Sequence, residues 1–152
     1  MNFPLGRKRT LKWEEIQGIT SYSVSRSFFR LFKKTKHYLI LYSDKYKPLL
    51  CHPDLKDREG LKKIIKKQVY QRLKPKLFQA FKNRKTIPFG SVTISKDKLI
   101  LPKVEIPWEY IEGISVQKGV FIVNLTAKNA IEIPIRKIIN LDILIHLIKT
   151  EI

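Results

Sequence analysis

A seven-residue string occurs twice in this chain and limits its fold more than any other feature. Trp13-Glu14-Glu15-Ile16-Gln17-Gly18-Ile19 returns as Trp108-Glu109-Tyr110-Ile111-Glu112-Gly113-Ile114, with five of seven positions identical. The same succession of signals follows each copy: apolar segments separated by polar turns, then a helical pattern. After the first copy the strands are expected over 19–32, 37–42 and 48–51, with a helix opening near Asp54. After the second they are expected over 114–116, 119–125 and 130–134, with a helix opening near Asn140. A duplicated strand-and-helix unit is therefore the expected plan.

From residue 87 onward the pattern is mostly strand. Residues 89–95 and 98–101 form an expected hairpin about Ser95-Lys96-Asp97-Lys98, a polar turn signal. Pro107 suits a strand start or edge, and so it sets the Trp108 segment apart. Asn140 is a good N-cap for a helix over 141–150, in which Leu141, Ile143, Leu144, Leu147 and Ile148 fill one wide face. The expected class is α+β: six or so strands in a small antiparallel sheet or barrel, closed by the C-terminal helix. A partial unit with a connecting basic helix would occupy 11–86 and the fuller unit 87–152.

Residues 54–85 supply the connector. Leu61, Ile64, Ile65 and Val69 mark one helical face, and Lys62, Lys63, Lys66 and Lys67 the other side. The apolar series continues at Leu73, Leu77 and Phe81, always four apart. At 3.6 residues per turn such a stripe drifts by about 40° per step, so it winds around the helix and no single straight partner can cover it. The early half is expected to pack on the first unit and the later half on the second. Pro75 removes a backbone donor and should kink or break the helix.

Charge does not follow the duplication. The formal net charge is +18, and residues 1–90 hold 23 Lys and Arg against 6 Asp and Glu, whereas residues 91–152 hold 8 against 7. The first part is thus expected to supply a basic surface and the second a neutral scaffold. Two clusters stand out. Arg26, Arg30, Lys33, Lys34 and Lys36 surround Phe28, Phe29, Leu31 and Phe32 in an expected hairpin with a cationic tip. Lys62, Lys63, Lys66, Lys67 and Arg72 form a basic helix face. These ten residues are the candidate anion-binding positions. An anionic membrane surface or an acidic protein is the expected partner, with each Lys or Arg near an anionic bilayer contributing about 1 kcal/mol. The alternative is non-specific nucleic-acid binding by the same residue types, with steep salt dependence. Homo-oligomerisation is a further option for the partial unit.

Catalysis finds no support in the motifs. His37, His52 and His146 have no nucleophile in their sequence context, and the neighbours Cys51 and His52 would point to opposite faces of a strand. There is no Gly-rich phosphate loop and no Cys or His pair at metal spacing, so neither metal nor cofactor is expected and the chain is read as non-enzymatic. A lone Cys fits a reducing compartment. The longest apolar runs fall far short of the roughly 20 residues that span a bilayer. A cytoplasmic protein, peripheral at the inner membrane face, is the expectation. Trp13 and Trp108, each with Ile three and six residues on, are expected to cap the ends of small cores.

Three segments carry a resemblance: Pro88-Phe89-Gly90; Ile106-Pro107-Trp108 with Ile111 and Ile114; and Ile133-Pro134 followed by Ile139-Asn140 and a final helix. Together they resemble bacterial pleckstrin-homology-like domains. The wider arrangement, with an earlier Trp-x-x-Ile unit and a helix around Leu73-Lys74-Pro75-Lys76-Leu77, is similar to a bacterial family of uncharacterised function built on that fold. The resemblance implies a seven-stranded, strongly bent sheet closed by a C-terminal helix, and no activity. The first copy departs from it by lacking the three strands expected before the Trp segment. Phosphoinositide-binding members cluster basic residues at the first strand-to-strand loop. Here that loop would hold only Lys96 and Lys98 about Asp97, so recognition of that type is not expected.

Overall fold

The computed structural model describes residues 11–28, 32–51 and 57–151. A 3₁₀ turn, Trp13–Glu15, leads into β1 (Ile16–Phe28), which pairs antiparallel with β2 (Phe32–Ser43), and β2 with β3 (Leu49–Cys51). Helix α1 (Arg58–Lys82) follows. A four-stranded meander comes next, of β4 (Ile87–Phe89), β5 (Val92–Ile94), β6 (Lys98–Leu101) and β7 (Val104–Pro107). A second Trp-led turn, Trp108–Tyr110, opens a three-stranded meander of β8 (Ile111–Gln117), β9 (Val120–Leu125) and β10 (Ala130–Pro134). The 3₁₀ turn Ile135–Lys137 and helix α2 (Leu141–Ile148) complete an α+β chain of three antiparallel sheets, with no closed barrel among the described residues.

Period-2 burial explains several strands. Val92 and Ile94 of β5, Leu99 and Leu101 of β6, and Phe121 and Val123 of β9 face inward, with more exposed residues between them. The expected hairpin over 89–95 and 98–101 is corrected at Gly90, where the chain turns and divides the first arm into β4 and β5. Gly90 has φ +75°, and a Cβ there would lie 2.3 Å from the Lys137 carbonyl oxygen, so only glycine fits. The two Trp-led strands share an irregularity: register slips between Ile16 and Gly18 in β1 and between Ile111 and Gly113 in β8.

Helix α1 buries Ile65, Val69, Leu73 and Phe81, and Leu61 and Leu77 pack more loosely against the same core. Ile64 is corrected: it is 55% exposed, because the four-residue spacing of its neighbours turns it off the buried stripe. The helix is also continuous across Pro75 rather than broken. Pro75 and Gln71, whose carbonyl loses its partner, both lie on the exposed side, so that oxygen is open to solvent. Nor do the two halves of the helix divide cleanly between units. Lys66 in the early half meets Asp142 of α2 at 2.6 Å, and Phe78 in the later half stacks at a tilt on His146 of α2, 5.1 Å between centroids. Burial, aided by the Asp142 carboxylate, pushes the Tyr70 phenol pKa up along this seam.

One buried cluster contains residues from both stretches of the chain, among them Ile19, Leu39, Phe89 and Leu144. Residues 137–140 join them. Ser91 donates its N–H to the Lys137 carbonyl (2.9 Å) and Ile139 donates to the Phe89 carbonyl (3.1 Å), which ties this segment to β4. On its other side the Thr20 hydroxyl donates to the Ile138 carbonyl (2.7 Å). The expected capping bond from the Asn140 side chain to α2 is not formed. Held at φ 55°, its amide instead accepts from Ile19 N–H (2.9 Å) and donates to the Gln17 carbonyl (3.2 Å). Gly18 permits this approach, since a Cβ there would strike Ile139 Cγ2 at 2.3 Å.

The two tryptophans sit differently. Trp108 is half-buried, and its indole N–H is shared by the carbonyls of Ser95 (3.2 Å) and Lys96 (3.0 Å) in the β5–β6 turn. Trp13 is 43% exposed. The expectation that both cap a core thus holds only for Trp108. Replacing Trp108 by Phe is expected to cost about 1–2 kcal/mol, through the lost donor and the volume left empty. Trp13→Phe should stay within about 0.5 kcal/mol. Urea midpoints of the two variants check this, and equal shifts would contradict it.

Candidate functional site

The outer part of the β1–β2 ladder carries the first basic cluster, and its register sorts the side chains into two faces. Tyr22 pairs with Tyr38, Val24 with Lys36 and Arg26 with Lys34. These even-numbered residues share one face. The tyrosines stack at 5.0 Å with their planes 15° apart, and Val24, Arg26, Lys34, Lys36 and Tyr38 line a shallow cleft of about 200 Å³. On the odd-numbered face Ser23 and His37 share a hydrogen bond of 2.6 Å, and Ser25 and Thr35 one of 2.9 Å.

The cationic face is electrostatically unbalanced. Arg26 and Lys34 lie directly opposite one another, and like charges in that position destabilise a strand pair. Lys36 stands diagonal to Arg26. The chain holds no Asp or Glu between Glu15 and Asp44, and among the described residues none of these three cations forms an ion pair. An anion brought to this face relieves that repulsion. Of the other two residues in the cluster, Arg30 lies outside the described residues and Lys33 is placed only by its register opposite Ser27.

The helix cluster does not join the hairpin cluster. Helix α1 packs on β1, among buried Ile19, Leu39 and Leu41, the face opposite to Arg26, Lys34 and Lys36 by strand alternation. Within it the five cations have different surroundings. Lys66 pairs with Asp142. Arg72 donates to the carbonyls of Ile16 and of Trp13 (3.4 Å for the latter), so its guanidinium closes the start of the first sheet. Its Nε is buried without a hydrogen-bond partner. Lys62 is half-buried, and of the five only Lys63 and Lys67 are exposed. Among the described residues, Arg26, Lys34 and Lys36 and the cations of α1 thus lie on opposite sides of the β1–β2 ladder.

Two lysines elsewhere are engaged. Lys96 pairs with Glu151 (2.7 Å) and lies 5.2 Å over the Phe81 ring, and Lys98 pairs with Glu105. Cys51 is half-buried, and that burial pushes its thiol pKa up, away from the reactive thiolate. No helix among the described residues is long and apolar enough to cross a membrane. Tyr22, Val24 and Tyr38 were not singled out from sequence. The signal was present in the alternation of 22, 24, 26 against 34, 36, 38, which shows once the strand register is known.

These layers and this hairpin define an α+β protein of antiparallel meanders and two helices, with a cationic strand face left open. The chain belongs to a family of unknown function, DUF6585, whose model matches residues 4–152. Neither a curated protein nor a solved structure matches it.

Proposed function

We propose that this protein is a non-enzymatic, pleckstrin-homology-like interaction module that docks on an anionic phospholipid surface through the even-numbered face of the β1–β2 hairpin. The domain reading is supported by the order of elements after residue 86: four antiparallel strands, three antiparallel strands, one terminal helix. The duplication is supported by the shared Trp-led turn and by the register slip at the same place in β1 and β8. The single observation that carries the function is the directly opposed Arg26–Lys34 pair, with Lys36 beside it and no carboxylate to balance them.

A bilayer is favoured over an acidic protein or a nucleic acid by the sequence from Phe28 to Phe32. Phe28, Phe29, Leu31 and Phe32 surround Arg30, and apolar residues flanked by cations suit the boundary of headgroups and acyl chains. Such docking would hold the protein peripherally, at a membrane's negatively charged face.

Neutralising Arg26, Lys34 and Lys36 together, each to Gln, is expected to weaken binding to phosphatidylserine-containing vesicles about 100-fold, at about 1 kcal/mol per cation. The same variant should be slightly more stable, since the opposed like charges are gone. Co-sedimentation and thermal melting read the two effects. Unchanged vesicle affinity would sink the proposal, as would a wild-type protein that ignores vesicles and gives a salt-sensitive gel shift with nucleic acid.

A further inference from the structure

We infer that the fuller unit also contributes to the docking surface: Arg136 and Lys137, on the 3₁₀ turn Ile135–Lys137, meet the same anionic bilayer as Arg26, Lys34 and Lys36. This rests on the reading just given and extends the surface across the charge boundary in the sequence. Strand alternation supplies the geometry. Gly18 and Thr20 belong to the even-numbered face of β1. The Thr20 hydroxyl reaches the Ile138 carbonyl, and the space beyond Gly18 is filled by Ile139 and Asn140. Asn140 also bonds both backbone groups of Ile19, so residues 138–140 run along the free edge of β1, on the side of the ladder that, farther out, carries Tyr22, Val24 and Arg26.

Direction completes the placement. Asn140 is bonded to Ile19 and Ile138 to Thr20, so stepping backward along this segment leads outward along β1. The next residues back are the 3₁₀ turn, which lies against β1. Ile135 points partly into the core, whereas Arg136 and Lys137 are both exposed and form no ion pair among the described residues. The turn is held from behind by the bond from Ser91 N–H to the Lys137 carbonyl, so its two cations are carried on a fixed support. The exposed Lys63 and Lys67 of α1 belong to the opposite side and serve as the built-in control.

The test is titration of the full chain with mixed phosphatidylserine–phosphatidylcholine vesicles, and with phosphatidylcholine alone. Arg136→Gln combined with Lys137→Gln is expected to weaken binding to the mixed vesicles roughly 30-fold, about five-fold for each cation, with an unchanged melting temperature. Lys63→Gln combined with Lys67→Gln should change it less than about two-fold, because those residues face away. Should the first pair melt early, Arg136→Gln alone gives the about five-fold test without touching Lys137. Wild-type affinity in the Arg136/Lys137 variant, alongside loss in the Arg26/Lys34/Lys36 variant, would overturn this inference and leave the hairpin reading standing. Equal losses from the α1 pair would overturn the sidedness on which it depends. Failure of the wild-type protein to bind the mixed vesicles would remove both readings together.

Discussion

Asn140→Asp is expected to destabilise the protein by about 3 kcal/mol at neutral pH, although the two side chains are nearly the same shape. Asn140 is buried to 5% exposure, and its amide does two things at once: the oxygen accepts from Ile19 N–H and the nitrogen donates to the Gln17 carbonyl. A carboxylate keeps the first bond and turns the second into repulsion between two acceptors, inside a desolvated seam where an unpaired charge is costly. The left-handed backbone at φ 55° is no obstacle, since Asp tolerates it about as well as Asn. The substitution therefore isolates one donor. Its pH dependence gives a second signature. Burial raises the carboxyl pKa in the folded state, so the variant's stability is greatest below the unfolded value of about 3.9 and is lost as pH rises through the folded value. Protonated, the side chain can donate to Gln17 again. Asn140→Ala should cost about 2 kcal/mol with no such pH dependence. Urea midpoints at acid and neutral pH read both effects. An Asp variant that unfolds with the wild type at neutral pH would show that the clasp between β1 and residues 138–140 contributes little.

That clasp also shows how far the sequence could be followed. The repeated Trp segment led to two three-stranded meanders with helices behind them, because period-2 apolar patterns are local and survive without knowledge of neighbours. Asn140 was rightly placed at the start of α2, but its use was not legible: the partner of its amide lies 121 residues away. The same limit explains Gly90, whose turn follows from the carbonyl of Lys137 and not from the residues beside it. On the helix, the four-residue stripe was visible and the exposure of Ile64 was not, since the partner that selects the stripe is tertiary. The basic clusters were found by composition, yet strand alternation sends them to opposite faces of one ladder. Counting charge by halves of the chain also hid Arg136 and Lys137, which the fold carries back to β1.

Gly90→Ala is expected to cost about 3–4 kcal/mol, a large share of the roughly 5–15 kcal/mol that holds a domain of this size together. Two penalties combine there. The φ of +75° is one that a side chain rarely adopts, which accounts for about 1 kcal/mol. The new methyl would also sit 2.3 Å from the Lys137 carbonyl oxygen, and that oxygen is backbone, already held by Ser91 N–H at 2.9 Å. To make room, β4 must part from residues 137–139. That weakens the Ser91–Lys137 and Ile139–Phe89 hydrogen bonds, each contributing about 0.5–1.5 kcal/mol, and the bridge between Gly90 and Ile138. Two other glycines separate these causes. Gly119 has φ +81° but open space around its Cβ position, so Gly119→Ala should show the backbone penalty alone, about 1 kcal/mol. Gly113 has open space and no positive φ, so Gly113→Ala should be neutral or stabilising by up to about 0.5 kcal/mol. Denaturant midpoints ranked Gly90 far below Gly119, with Gly113 near or above wild type, are the expected order. If Gly90→Ala falls no lower than Gly119→Ala, the close seating of β4 against residues 137–139 is wrong. The support that holds Arg136 and Lys137 in place would then be wrong as well.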